Sequence, residues 1–576
     1  MGGSRVELAR LFRGLGVAGA TAATLLLVAC SGARGTGGNA APPTAAEASR
    51  FLAQSSYGAT DAAISEVRAA GYGQWIDQQM VLARPTTHQA EVEARLAAAR
   101  QADPNARLTP NDFYYTWWKQ SVTGPDQLRQ RMKLAYSEIF VISLTDTNVD
   151  VRGAASYYDM LGANAFGNFR TLLEQVTLHP MVGVYLTWLG NQKEDPATGR
   201  NPDENYAREV MQLMTIGLYQ LNLDGTVKTD GSGRPIPSYT PDDISGLAKV
   251  FTGYSYYSPN PTNTTFRGGQ RNADWAVRPM IPYAAFHSTS AKAFLGVTIP
   301  ASTAADPAGD LKVALDTLFN HANVGPFIGR QLIQRLVTSN PSPAYVQRVA
   351  SVFNDNGKGV RGDMASVVRA ILLDPEARDA VQAAGTNAGK LREPVVRIAN
   401  WARAFGATSV SGNWLIGSTS ANTSLGQTAL TSPSVFNFFR PGYSPPNTRI
   451  GSAGLVAPEF QIVDEVTVAG YLNTLQTTVD SGIGTRSGGV SDVRADYAPL
   501  VALGGDVDAL VSRVDLLLTH GQMAGATRSR IVQAVGGVSV PAATGSNQAA
   551  ITTALTNRAK LAVYMTMASP DYLVQR

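Results

Sequence analysis

Cysteine occurs once in 576 residues, at position 30. A single thiol excludes an internal disulfide framework and any cysteine-rich metal cluster. Histidine is nearly as scarce: His88, His179, His287, His321 and His520. No two of them stand at HExxH or HxH spacing, so no metal centre is expected from local sequence. Charge is sparse too, with 16% Asp, Glu, Lys and Arg and a net charge of +4. So small a surplus, with no basic run interleaved with aromatics, argues against nucleic acid as a partner. The chain also lacks GxxxxGK(S/T), a GxGxxG following a strand, a GxSxG elbow and CxxCH. Nucleotide phosphate cradles, standard α/β-hydrolase chemistry and covalent haem are therefore not expected, and no cofactor is.

What is present begins at the N-terminus. Arg5, Arg10 and Arg13 precede an apolar run from about Val17 to Val28. A charged head followed by a short apolar run is a secretory signal, and the run falls short of the ~20 apolar residues of a spanning helix. It ends in Leu27-Val28-Ala29-Cys30, which resembles the lipobox of bacterial lipoproteins. The resemblance implies a signal peptide over 1–29 and diacylglycerol and palmitate-type acylation of Cys30. Two or three acyl chains suffice for stable anchoring in a membrane. Ser31, where sorting to the inner membrane would use Asp, implies the outer membrane. Residues 30–45 are small and rich in Gly and Pro, as a flexible tether would be. The folded domain is expected over 46–576.

That domain reads as all-α. Apolar residues recur at helical spacing in AAEASRFLAQSSYG, in ATDAAISEVRAAGYG with Thr60 as N-cap and Gly71 as stop, and in most of the later segments. Strand signals are few. Residues 218–240 carry Asp224-Gly225 and Asp230-Gly231 and predict a small β-hairpin insertion between helices. Residues 255–291 and 405–455 lack periodicity and predict long loops. No linker after residue 45 divides the rest, so one large multi-helix domain is expected.

The segment NPDENYAREVMQLMTIG (201–217) places Asn205, Arg208, Glu209 and Gln212 on one arc of a helix. Asn201 suits the N-cap, Pro202 the first helical position and Glu204 a capping box. An ordinary amphipathic face is the plainest reading of the stripe; a buried ion-pair network and a functional site are the alternatives. In the functional reading Arg208 orients a substrate carboxylate or phosphate and Glu209 acts as a base. TPDDISGLAKVF offers Thr240 as N-cap, with Asp242 and Asp243 favouring the helix dipole. His287 lies in the loop AAFHSTSAKAFLG, with Lys292 five residues on.

The stretches NPDENYAREVMQLMTIGLYQLNLDG, YTPDDISGLAKVFTGY, KLREPVVRIANWARAF and LTSPSVFNFFRPGY together resemble a large bacterial family, domain of unknown function 1800. The likeness runs from about Ala46 to the C-terminus. Met214 departs from it, since many members carry an aromatic residue or His there. The family carries no activity to transfer. Its genes often lie beside those of another exported family with a phosphatase-like appearance, which implies an exported protein partner. Two functions are accordingly expected. The first is a lipid-anchored binding or assembly component of the cell envelope. The second is an envelope hydrolase built on the 201–217 helix and the His287 loop, with Arg208, Glu209, Asp243 and His287 as its polar centre.

Overall fold

The chain is described by a computed structural model over residues 41–576, apart from 85, 380–384 and 386. The signal segment, Cys30 and most of the tether lie outside the described residues. Thr44 opens the fold. Its hydroxyl accepts from the Glu47 amide and the Glu47 carboxylate accepts from the Thr44 amide, a capping box that starts the helix Ala45–Ser55. Thr60 caps Asp61–Ala70, and Gly71 ends that helix at φ +75°, a conformation that favours glycine.

Helices dominate the rest of the domain, as the periodicity predicts. Val324–Leu336, Pro343–Asn354 and Met364–Leu373 pack in sequence on one another, and Gln127–Ser137 packs on Val151–Ala163. Residues 42–576 form one compact unit. Its core carries Trp117, Trp118, Trp188 and Trp401, all fully buried. Among the described residues no helix is long and apolar enough to cross a membrane.

Strands are short and antiparallel. Lys390–Leu391 pairs with Val574–Gln575 and so ties the C-terminus to the middle of the chain. Thr408–Ser409, Val490–Arg494 and Ile483–Ser487 form a three-stranded sheet in the order first, second, third. The 218–240 insertion folds back twice. Leu221 bridges Val227, Thr229 bridges Pro235, and Tyr219 bridges Pro237, so a third segment closes on the expected hairpin.

The segment 255–291 is irregular but packed. Phe266 stacks on Phe286 with centroids 3.7 Å apart, and Tyr256 meets Trp275 edge-on. Tyr254 and Tyr256 are buried, which leaves them packing roles in place of exposed stacking surfaces. Residues 405–455 hold only the strand Thr408–Ser409 and the one-turn helix Arg449–Ser452.

Candidate functional site

The 201–217 segment forms a shorter helix than expected, Asn205–Gln212, with Glu204 as a cap that makes no side-chain cap bond. Asp203 competes for the helix start, its Oδ1 accepting from the Asn205 amide at 2.8 Å, so the capping box on Asn201 does not form. The polar stripe splits. Arg208 pairs with Glu204 at 3.4 Å in an exposed i,i+4 contact. Glu209 is only 6% exposed, and its Oε2 has no hydrogen-bond partner among the described residues. Burial pushes its pKa up against the pull of Arg208.

Asp243 is fully engaged. One oxygen accepts from the Thr240 amide at 2.7 Å and hydroxyl at 2.8 Å, and the other from the Leu295 amide at 2.6 Å. It caps Pro241–Val250 and clamps the turn between strands Lys292–Phe294 and Val297–Ile299 onto it. His287 is fully buried. Nδ1 lies 2.8 Å from the Thr252 carbonyl and Nε2 lies 2.8 Å from Asp310 Oδ2. The Lys292 ammonium meets the same Asp310 oxygen at 2.8 Å. These contacts pin the loop and leave the imidazole no open face. No described hydrogen bond or ion pair joins Asp243 or His287 to Arg208 or Glu209. The two segments do approach one another. Glu204, Ser245, Lys249 and Ser290 line a cavity of about 580 Å³.

A second cavity, of about 460 Å³, has a more distinctive build. Its walls are apolar: Ile139, Leu213, Phe327, Val435, Phe436 and Phe439. Glu138, Gln331 and Arg335 line its buried end, and Leu218 and the exposed Arg440 lie at its rim. Arg440 sits over the Phe436 ring, 4.7 Å from its centroid. The loop is shaped for this. Asn437, at φ +65°, turns the chain between Phe436 and Phe439, and Gln334 donates to the Pro441 carbonyl at 3.1 Å. On the opposite side Gly217 sits at φ +71°, where an added Cβ would lie 2.8 Å from the Phe327 ring. Asn323 holds that turn, donating to the Ile216 and Tyr219 carbonyls at 2.7 and 2.8 Å.

Behind the cavity lies a buried charge network. Arg131, Glu138, Arg335, Lys390, Glu393 and Glu459 come from four stretches of the chain, around 131–138, 335, 390–393 and 459, each residue at most 4% exposed. The helix Val324–Leu336 sets its centre, because carbonyls in the last turn of a helix lack intrahelical donors and favour cations. Arg131 Nη2 and Lys390 Nζ both donate to the Arg335 carbonyl, at 2.7 and 2.8 Å. Lys390 also lies 2.9 Å from Glu459 and 3.8 Å from Glu393. Arg131 lies 4.0 Å from Glu393, and Gln427 donates to Glu393 at 2.8 Å.

The carboxyls of Glu138 and Glu393 interact, and their environments drive them apart. Burial, then the Glu393 charge, push Glu138 well above the usual carboxylate range. Burial would raise Glu393 as well, but the adjoining Glu138 carboxyl, Lys390, Arg131 and Gln427 outweigh it and hold Glu393 below the usual carboxylate range. Two carboxyls so close titrate as a pair, and these environments bias the proton toward Glu138. Burial also raises Glu459 against the pull of Lys390. Arg335 Nε, Gln331 Nε2 and both Glu138 carboxyl oxygens have no well-aligned hydrogen-bond partner among the described residues. Buried polar atoms rarely stay unpaired; these have almost no accessible surface, and Arg335 Nε keeps the Glu138 carboxyl at 3.4 Å as its ion-pair partner. Among the described residues no group of three or more His, Cys, Asp and Glu is arranged to hold a metal ion.

This network escapes a reading of sequence alone because its members stand far apart and each looks like a solvated charge. One signal was available. In PDQLRQRMKLAYSEIF the charges are interleaved with apolar residues all round the helix, and Gln127–Ser137 is buried on nearly every face.

A family model described as "Protein of unknown function (DUF1800)" matches residues 50–574. No curated protein and no solved structure matches the chain.

Proposed function

The chain belongs to the family of proteins of unknown function DUF1800, and we propose that it is a lipid-anchored envelope protein that binds a small amphipathic molecule. The single observation that carries the binding role is the 460 Å³ cavity, with apolar walls and the polar residues Glu138, Gln331 and Arg335 at its buried end. Its size lies in the ~300–1,000 Å³ range of small-molecule sites, and apolar walls with a few convergent polar groups are their usual composition. The anchor reading rests on Cys30 closing the Leu27-Val28-Ala29 run, and the outer-membrane reading on Ser31 where inner-membrane sorting would use Asp. An exported protein partner fits the same reading and would remain bound through mild detergent extraction.

The test is a fluorescence titration of the full chain with 1-anilinonaphthalene-8-sulfonate. Leu213 lines the cavity, and Gly442, at its edge, has open space where a Cβ would point. Saturable one-site binding is expected in the wild type, and its loss in both Leu213→Trp and Gly442→Trp. Equal binding by wild type and both variants would overturn the proposal.

A second reading, an envelope hydrolase, is supported by the cavity shared by Glu204 and Ser290, where the start of the Asn205–Gln212 helix approaches the loop after His287. The commitment of Asp243 and His287 to internal contacts weighs against their acting on a substrate there.

A further inference from the structure

We propose that a strip of exposed apolar side chains on the 218–240 insertion, continuous with the rim of the 460 Å³ cavity, docks the domain onto a lipid surface. This rests on the anchor and cavity readings above and names the phase from which the cavity is filled.

Among the described residues the exposed leucines and the exposed tyrosine all lie on this insertion. They are Leu218, Tyr219 and Leu223, joined by Val227, each 38–50% exposed. Scattered exposed apolar residues are ordinary, but a cluster rimmed by polar groups marks a protein or membrane contact. Leu218 also lines the cavity, so the strip begins at its rim. Leu221 bridges Val227, which brings Val227 and Leu223 together across the turn. The backbone braces this surface. The Gln220 amide donates to the Ile236 carbonyl at 2.8 Å, the Lys228 amide to the Gln220 carbonyl at 2.7 Å and the Ile236 amide to the Lys228 carbonyl at 3.0 Å. Three segments thus close on one another, and Asn323 holds their base.

Charge and tether select lipid as the partner. Lys228 and Arg440 have no acidic partner among the described residues. Asp230 pairs with Arg234 at 3.0 Å, and Asp224 accepts from the Thr226 amide and hydroxyl at 2.9 and 2.6 Å. Lys228, Arg234 and Arg440 against Asp224 and Asp230 leave a surplus of one positive charge, which suits anionic head groups. Tyrosine, and basic residues whose stems lie along apolar surface, are the side chains of membrane interfaces. Residues 31–43 separate Cys30 from Thr44, a span of at most ~50 Å. An acylated Cys30 therefore keeps the domain beside a bilayer at about millimolar effective concentration. Docking through the strip sets the cavity rim against lipid, and an amphipathic ligand passes in without crossing water.

The experiment places the acylated protein in vesicles of phosphatidylethanolamine and phosphatidylglycerol, with and without bromine on the acyl chains. Bromine there quenches only tryptophan that reaches the apolar region. Tyr219→Trp and Val227→Trp are compared with Val81→Trp and Val410→Trp, exposed positions outside the strip. Each is read as the emission added over wild type. The added emission of both strip variants is expected to move to the blue and to fall on bromination, and that of the other two to do neither. Adding Lys228→Glu and Arg440→Glu is expected to reduce the quenching of Tyr219→Trp. Protein that floats with the vesicles without quenching at the strip, or with equal quenching at all four positions, overturns the docking and leaves the anchor standing. Protein that does not float removes anchor and docking together. A blue shift that grows with protein concentration and ignores bromination assigns the strip to a second copy of the chain and overturns the lipid assignment. The dye titration above tests the cavity separately from all of these.

Discussion

Arg335 and Glu138 hold each other at two points. The guanidinium Nη2 donates to the Glu138 carbonyl at 2.9 Å, and Nε lies 3.4 Å from the carboxyl Oε2. The backbone contact persists whatever the carboxyl's charge, so the two can stay paired while Glu138 keeps a proton. A buried charge removed from its partners costs far more than a buried neutral group replaced by its isostere.

Glu138→Gln is therefore expected to change unfolding free energy at neutral pH by no more than about 1 kcal/mol. Glu393→Gln should cost about 3–5 kcal/mol, because it strips Arg131 and Lys390 of their shared carboxylate. Urea unfolding of the two variants checks the contrast. Equal losses would mean that the proton is not confined to Glu138.

Glu209→Gln tests the buried half of the polar stripe. Burial raises the folded-state pKa of Glu209 above its unfolded value. The stability it contributes is fully present below the unfolded value, near 4.5, and is lost as pH rises through the raised folded value. Wild type and variant should melt together near pH 4, and the variant should melt higher at pH 8. A variant that melts lower at pH 8 would mean that ionised Glu209 is paired in the native protein.

Lys133 gives the opposite slope. Its ammonium lies 2.7 Å from His88 Nε2 in a fully buried site, and burial lowers its pKa from 10.5 to about 8. The Thr116 hydroxyl donates to the Phe113 carbonyl, so His88 donates through Nδ1 to Thr116 and accepts through Nε2 from Lys133. Burial and then the Lys133 charge keep that imidazole neutral, well below its usual range. A lowered lysine pKa means that the unfolded chain binds more protons between about 8 and 10.5, so native stability rises across that window. Relative to Lys133→Met, the wild type should gain on the order of 3 kcal/mol across it. Chemical denaturation at pH 7.5 and 10.5 measures this, and a flat difference would place Lys133 in a wetter site.

Gly217→Ala joins stability to the cavity. The new Cβ would need φ +71° and would press on the Phe327 ring at 2.8 Å. A loss of about 1–3 kcal/mol is expected from the backbone strain. Displacement of Phe327 should weaken dye binding in the same variant. Unchanged dye affinity beside a clear loss of stability would place Phe327 outside the ligand's contact surface.

Much of the fold was legible in the chain itself because its determinants are local. Thr44, Thr60 and Thr240 cap the helices that begin beside them, and Gly71 stops one, through contacts only a few residues long. The all-α class comes from apolar residues at helical spacing. The start of the Asn205–Gln212 helix was misplaced because Asn201 and Asp203 both offer side-chain caps, and Asp203 takes the Asn205 amide. What sequence could not decide is which charges would be dry. Glu138, Arg335, Glu393 and Glu459 each sit in a segment that reads as an ordinary amphipathic or capping pattern. Only tertiary packing brings them to the last turn of one helix, from positions up to hundreds of residues apart, and takes them out of water. Pairing of buried charges is a property of desolvation, which depends on every element packed around them, whereas helix starts and stops depend on the neighbouring few residues.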